Sequence, residues 1–252
     1  MVVLLAVAAL LAPWLAPFDP IRPVVDSFGE PQAPGPQHWL GTDELGRDVL
    51  SRILVGSRFS VVVVVASTAL AMGIGTALGV LAGYFGGWVD RVAMRTADVF
   101  LSFPSILLAI AMAALFEPGL LTVLAVIGLV SWPPVARAVR SEVLSLRQRD
   151  YVGAAVALGA GHARLMGRHL VPNARDTIVA LGAVSACGAV LFEAGLSYLG
   201  LGVPVPAPSW GRMVGDSLSY FRVAPWLVAF PGLAIFYAAL AFNLVGYGLA
   251  KE

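Results

Sequence analysis

An all-α protein that crosses a membrane six times is the fold class this sequence predicts, on three observations. Of its 252 residues 59% are hydrophobic and only 12% charged, where a soluble domain carries about 25% charge. Polar stretches separate apolar runs near the ~20 residues that a helix needs to cross a bilayer. The basic residues are also shared unequally between alternate polar segments. Arg91, Arg95, Arg137, Arg140, Arg147, Arg149, Arg164, Arg168, Arg175 and Lys251 fall on one side. Arg22, Arg47, Arg52, Arg58, Arg212 and Arg222 fall on the other. Ten against six sets the richer side, and with it both termini, in the cytoplasm.

The same composition excludes other classes. A net charge of +1 gives no electrostatic footprint for nucleic acid. Cys187 is the only cysteine, so no internal disulfide forms, and its apolar setting marks it as a small buried hydrophobe.

The elements follow in order. Met1 to about Pro17 is apolar but short for a span and lacks a basic N-terminal flank. Pro13 and Pro17 break the pattern of a cleaved signal, so a first membrane helix, its cytoplasmic beginning outside this sequence, fits better. Phe18 to Ser57 is polar and rich in Pro, Gly and Asp. Within it Asp48 to Gly56 reads as an amphipathic helix on the outer surface, with Val49, Leu50, Ile53 and Leu54 as its apolar face. Asp43, Glu44 and Asp48 form an acidic cluster, read as caps and arginine partners rather than metal ligands because no His or Cys stands at helical spacing.

Phe59 to about Phe85 is the second span, with Gly73, Gly75, Gly79 and Gly83 permitting close helix contact. A turn at Gly86 to Arg91 leads to a third span, about Ala97 to Phe116, kinked at Pro104. Such a kink opens a path between helices or is a packing irregularity, and Ser102, Phe103 and Ser105 around it are candidate path residues. The fourth span, about Leu120 to Val139, should bend at Pro133-Pro134. The fifth runs from about Asp176 to Leu199 and holds Glu193, an acid deep in an apolar run. An intramembrane carboxylate is a path candidate by default, with a structural hydrogen bond as the alternative. An outer loop with a short helix around Met213 to Tyr220 precedes the last span, Trp226 to Leu249, and Lys251 and Glu252 end the chain inside. The chain divides into residues 1–57, a first helix plus outer loop, and 58–250, a five-helix core.

The polar interruption at 141–174 is the main candidate site. Asp150 can cap a short helix, Tyr151, Ala154, Ala155 and Leu158 share a face, and Gly159 and Gly161 supply the stop. Arg164, Arg168 and His169 follow, and Pro172-Asn173 suits the start of the next helix. Pattern alone leaves a docking element and a solvated loop equally open.

Gly153-Ala154-Ala155, Gly159 and, after nine residues, His169-Leu170-Val171-Pro172 resemble the EAA loop in the membrane subunits of ATP-binding-cassette importers. Two further stretches, His38 to Arg52 (HWLGTDELGRDVLSR) and Glu193 to Gly202 (EAGLSYLGLG), resemble the peptide and nickel permeases of that family. The resemblance implies a type I importer permease fold with short extracytoplasmic helices. It makes 150–159 a cytoplasmic coupling helix that docks on an ATPase through Asp150, Tyr151, Gly153, Ala154, Ala155, Leu158 and Gly159, with Pro172 beyond. It implies a related second permease, two ATPase subunits or domains, and an extracytoplasmic binding protein that delivers peptides, with nickel, glutathione or another small solute as alternatives. Where the family has Glu, this chain has Gly153. With Asp150 as N-cap, that Gly forfeits a capping box and lowers helix propensity by about 1 kcal/mol relative to Ala.

Several devices are missing from the sequence. Lys251 is the only lysine, so no G-x-x-x-x-G-K-[ST] phosphate loop exists and ATP and Mg belong to a partner. His38, His162 and His169 are too scattered for a metal centre. Apart from Glu193 there is almost no chain of intramembrane ionisable residues of the kind that a secondary transporter or channel needs. No catalytic residue or cofactor site is expected, and the chain is read as a non-enzymatic subunit.

Overall fold

The computed structural model describes residues 1–25 and 29–249, so Lys251 and Glu252 lie outside the described residues. The described part is helical throughout apart from loops, with a lone antiparallel bridge between Thr42 and Asp48. Helices α1 (Val2–Leu15), α2 (Val49–Phe85), α3 (Gly87–Leu101), α4 (Ser105–Ala113) and α5 (Leu120–Leu146) come first. Helices α6 (Asp150–Ala157), α7 (His162–Arg164), α8 (Arg175–Tyr198), α9 (Trp210–Ser217) and α10 (Trp226–Leu249) follow.

Four stretches are long and apolar enough to cross a membrane: α2, α5, His162–Tyr198 ending in α8, and α10 over Trp226–Gly246. Helix α1 has only 14 residues, about 21 Å. It buries Leu5, Ala9 and Ala12 against α2 and α10. The expected third span is two helices: α3 and α4 meet at Ser102 to Pro104 with an 85° bend. Pro104 lacks an N–H and disfavours helical backbone in Phe103, which weakens the ladder at the point where it stops. By length and composition the spans number four, or five if the broken pair is one crossing.

The amphipathic surface helix expected at Asp48 to Gly56 is instead the first two turns of the 37-residue α2, and a boundary at 57/58 cuts that helix. Asp48 is its N-cap, its carboxylate accepting from Ser51 N–H at 2.8 Å and Ser51 Oγ at 2.7 Å. Helix α2 is about 55 Å long, well beyond the roughly 30 Å of a bilayer's hydrocarbon core. Helix α5 runs unbroken through Pro133 and Pro134 to Leu146, seven residues past the expected end. Helices α8 and α10 fall where expected, and α9 starts three residues early, capped by the Ser209 hydroxyl. Cys187 is half-buried rather than buried in α8.

Helices α2 and α5 form the rigid centre, and their contact depends on glycine. A Cβ at Gly79 would lie 2.6 Å from the Ala136 carbonyl oxygen, and one at Gly83 would lie 2.9 Å from that of Arg140. Val63, Val64, Val123, Val126, Ile127, Ala189, Val190 and Leu196 make the main core where α2, α5 and α8 meet. Glu193 is fully buried there, accepting hydrogen bonds from Ser60 Oγ at 3.0 Å and Ser197 Oγ at 2.8 Å.

The GTDELGRD stretch is a closed turn sealed over the start of α2. Asp43 N–H donates to the Arg47 carbonyl and Gly46 N–H to that of Asp43, both at 2.9 Å. Gly41 and Gly46 have φ of 79° and 73°, with main-chain oxygens 2.4 and 2.3 Å from where a Cβ would stand. No other residue fits there. The acidic cluster pairs as expected: Asp43 binds Arg47 Nε at 2.7 Å and lies 3.3 Å from Arg52 Nε, and Asp48 binds His38 Nδ1 at 3.0 Å. Glu44 lies 3.5 Å from Arg47, and its carboxyl is held above the usual range by burial and then by the Asp43 charge.

Candidate functional site

The interruption at 141–174 is not a loose loop. Ser141 to Leu146 continue α5, and Arg147 to Arg149 turn the chain into α6. Arg149, not Asp150, is the N-cap residue, and no side chain caps this helix. Asp150 is therefore the first helical residue, where its charge favours the positive end of the helix. Gly153 is then the fourth helical residue rather than the third. The capping-box argument fails for that geometric reason, and only the propensity cost of Gly153 stands.

The C-terminus of α6 is built as the glycines suggest. Gly159 has φ 79°, its N–H donates to the Val156 carbonyl at 2.9 Å, and Ala160 N–H donates to that of Ala155 at 3.0 Å. This is a Schellman closure, which favours Gly at the left-handed position. Eight residues do not hold a helix in water by themselves. Burial of Val152, worth about 1.5–3 kcal/mol, anchors it. Val152 packs in a core with Val80, Val139, Val143, Leu146, Leu165, Leu170 and Ala174, which fastens the loop to the ends of α2 and α5.

Beyond Gly161 the chain is helical again where a basic loop was expected. Helix α7 passes into a wide π turn, Leu165–Leu170, in which Val171 N–H reaches the Met166 carbonyl at 2.9 Å. Pro172 opens a 3₁₀ turn, Pro172–Ala174, that delivers the chain into α8. Having no N–H, Pro172 interrupts the ladder, and the turns on either side absorb the mismatch.

The expected docking face splits in two. Tyr151, Ala154 and Leu158 are exposed, Leu158 by 89%, together with Gly153 and Val156. Ala155 turns inward, part-buried against the core around Val152. Helical phase explains this, since 152 and 155 are three apart and share the inner face. The exposed side is an apolar patch with small residues between larger ones, a shape suited to seating in a groove.

Sequence reasoning missed the tethers. Arg147 Nη1 donates to the Tyr84 carbonyl at 2.9 Å, and Tyr84 Oη lies 2.7 Å from His162 Nδ1, joining the inner end of α2 to both flanks of α6. Such pairs lie 63 and 78 positions apart and carry no local signal.

The path candidates do not form one cluster. Ser102 and Phe103 are exposed at the α3–α4 break and Ser105 is half-buried at the start of α4. Glu193 is enclosed, hydrogen-bonded to Ser60 and Ser197 and to none of those three. Among the described residues no group of three His, Cys, Asp or Glu is placed to hold a metal.

Residues 75–251 match the family described as "Binding-protein-dependent transport system inner membrane component". The chain is 42% identical over 218 residues to the dipeptide transport system permease protein DppC of Alkalihalophilus pseudofirmus, covering 86% of this chain and 72% of that one. It is 42% identical over 248 residues to the glutathione permease protein GsiD of Pectobacterium atrosepticum, covering 98% and 82%. It is 41% identical over 248 residues to the nickel permease protein NikC of Escherichia coli, covering 98% and 89%. Among solved structures, a chain of the inward-facing MetNI methionine ABC transporter superposes with a TM-score of 0.62 at 16% identity, over 79% of this chain and 97% of that one. That likeness shows the type I permease fold, with helices arranged as in an importer's membrane subunit. This chain thus belongs to the inner-membrane permease components of binding-protein-dependent, ATP-binding-cassette import systems.

Proposed function

We propose that this permease imports peptides by alternating access, driven by an ATPase that grips α6. The observation that carries the coupling role is the exposed patch of Tyr151, Ala154 and Leu158, held outward by buried Val152 on its opposite side. A patch so placed on a short, well-anchored helix passes force into α5 on one side and α8 on the other. The ATP and Mg are held by two ATPase subunits or domains, because this sequence has no phosphate loop.

A related second permease completes the pathway as a heterodimer, and Ser102, Phe103 and Ser105 face it. The short α1 and the broken α3–α4 pair each count as one crossing, giving six with both termini inside. Peptides are the favoured cargo because the relatives include a dipeptide permease and a putative peptide permease matched over 80% of its length. Glutathione and nickel are the competing cargoes.

The test is reconstitution of the complete importer in proteoliposomes, with its binding protein, measuring ATP hydrolysis and uptake of a labelled dipeptide. Hydrolysis should rise with loaded binding protein, and di-, tri- and pentapeptides should compete by length. Competition by nickel or glutathione alone would overturn the peptide assignment. Absence of any stimulated hydrolysis would overturn the coupling role.

A further inference from the structure

Helix α3 is attached to its neighbours in an unusual way. At its start, Gly86 and Gly87 both have positive φ, 65° and 56°, and nothing lies within 4 Å of where their Cβ atoms would be. At its end the chain breaks at Ser102 to Pro104 and turns by 85°. A 15-residue helix thus lies between two points at which the backbone is free to hinge, a glycine pair and a proline break. Between the hinges, two carboxylates reach α5. Asp90 receives a two-pronged hydrogen bond from Nε and Nη2 of Arg140, and Asp98 receives one from Nη2 of Arg137. Among the described residues these are the side-chain hydrogen bonds between α3 and α5. The other contacts are apolar: Ala97 and Met94 pack against Trp132 and Ala136, and Phe100 stands edge-on to Trp132 with ring centroids 5.6 Å apart.

The two arginines stand on the last three turns of α5, which runs straight on to the turn before α6. Helix α5 packs closely on α2 through the glycine contacts at Gly79 and Gly83. An open cleft of about 520 Å³, lined by the two ion pairs with Arg91, Met94 and Arg95, lies along α3 and leaves it room to shift.

We propose that Asp90–Arg140 and Asp98–Arg137 are positioning pairs that make α3 follow α5, so that motion at the docking helix is delivered to the α3–α4 break. The inference rests on the coupling role of α6. Directional, charge-assisted bonds toward both ends of α3 hold its angle on α5 more firmly than the apolar and aromatic contacts do by themselves. The hinges concentrate the resulting backbone change at Gly86–Gly87 and at Ser102 to Pro104.

The experiment uses the complete reconstituted importer and reads solute taken up per ATP hydrolysed. The single variants Asp98→Arg and Arg137→Asp are compared with their exchange, D98R/R137D, and the same three are made at Asp90 and Arg140. Each single variant should lower uptake per ATP about fivefold or more, and each exchange should restore most of it. Rescue by exchange is the signature that a merely structural role of one side chain would not give. Unchanged uptake per ATP in the single variants, or no recovery in either exchange, overturns the proposal. If the part-buried Asp90–Arg140 variants fail to assemble, the more exposed Asp98–Arg137 pair decides, since its side chains are 45% and 50% exposed. A wild-type importer whose hydrolysis ignores its binding protein would refute the coupling role itself, a result separate from these.

Discussion

Ser60 and Glu193 stand 133 positions apart, yet the serine hydroxyl donates to the glutamate carboxylate at 3.0 Å inside the fully buried contact of α2 and α8. Ser197, one turn further along α8, donates to the other oxygen at 2.8 Å. A carboxylate in this position costs free energy unless its hydrogen bonds are made, and here both oxygens are served.

The first prediction follows from that pairing. Glu193→Gln keeps an acceptor for one hydroxyl and should fold nearly as well as the parent. Glu193→Ala orphans Ser60 and Ser197 and opens a void. It should cost about 1–3 kcal/mol for the unmet polar groups alone, with the cavity adding to it. Thermal unfolding of the detergent-purified complex checks the order: parent, then Gln, then Ala. An Ala variant as stable as the parent would show that the hydrogen bonds are not what joins the helices.

A second prediction separates two glycines of α2. Gly79→Ala drives a methyl into the Ala136 carbonyl 2.6 Å away and should destabilise by roughly 1–3 kcal/mol. Gly73→Ala meets nothing within 4 Å and should be neutral or slightly stabilising. Both are read from unfolding midpoints of the same preparation, and equal behaviour would deny the close α2–α5 contact.

The third concerns α6 and its proposed docking. Leu158→Glu should leave insertion and folding intact, because the side chain is 89% exposed, and should uncouple hydrolysis from uptake. Gly159→Glu should also uncouple, with some loss of helix order from its φ of 79°. Ala155→Glu is less clean, since Ala155 packs against the inner core and its loss disturbs the fold as well. Gly153→Glu has open space and should be tolerated, gaining up to about 1 kcal/mol in helix propensity. Loss of assembly in that variant would show that small size is required there. Normal uptake per ATP in the Leu158 variant would count against docking by this face.

The fourth is a pH effect in the outer turn. Burial and the Asp43 charge raise the Glu44 carboxyl, so its ionised form costs stability at neutral pH. The sign is fixed by linkage: a raised folded-state carboxyl is relieved as pH falls through it toward the ordinary carboxylate range. Glu44→Gln should therefore slow hydrogen exchange of residues 41–50 at pH 7, and the difference from the parent should shrink on acidification. Faster exchange in the Gln variant at pH 7 would mean instead that the Arg47 contact at 3.5 Å outweighs the desolvation.

The sequence by itself determined the class, the membrane setting and most helix positions, because hydropathy over twenty residues is a local property. It also located the short helix α6 and the turns around it, since a polar interruption bounded by Gly159 and Pro172 announces its turns in residue type. Hydropathy could not reveal that α2 absorbs the amphipathic stretch after Asp48, because an exposed helix turn and a span's outer end have the same pattern. Nor could it reveal that Pro104 breaks its helix rather than bending it, which depends on what α3 and α4 pack against. The inward turn of Ala155, the enclosure of Glu193, the Tyr84–His162 tether and the arginine pairs on α3 were decided by tertiary structure alone. Each joins residues distant in the chain, and side chains that meet only after the helices pack leave no periodicity behind.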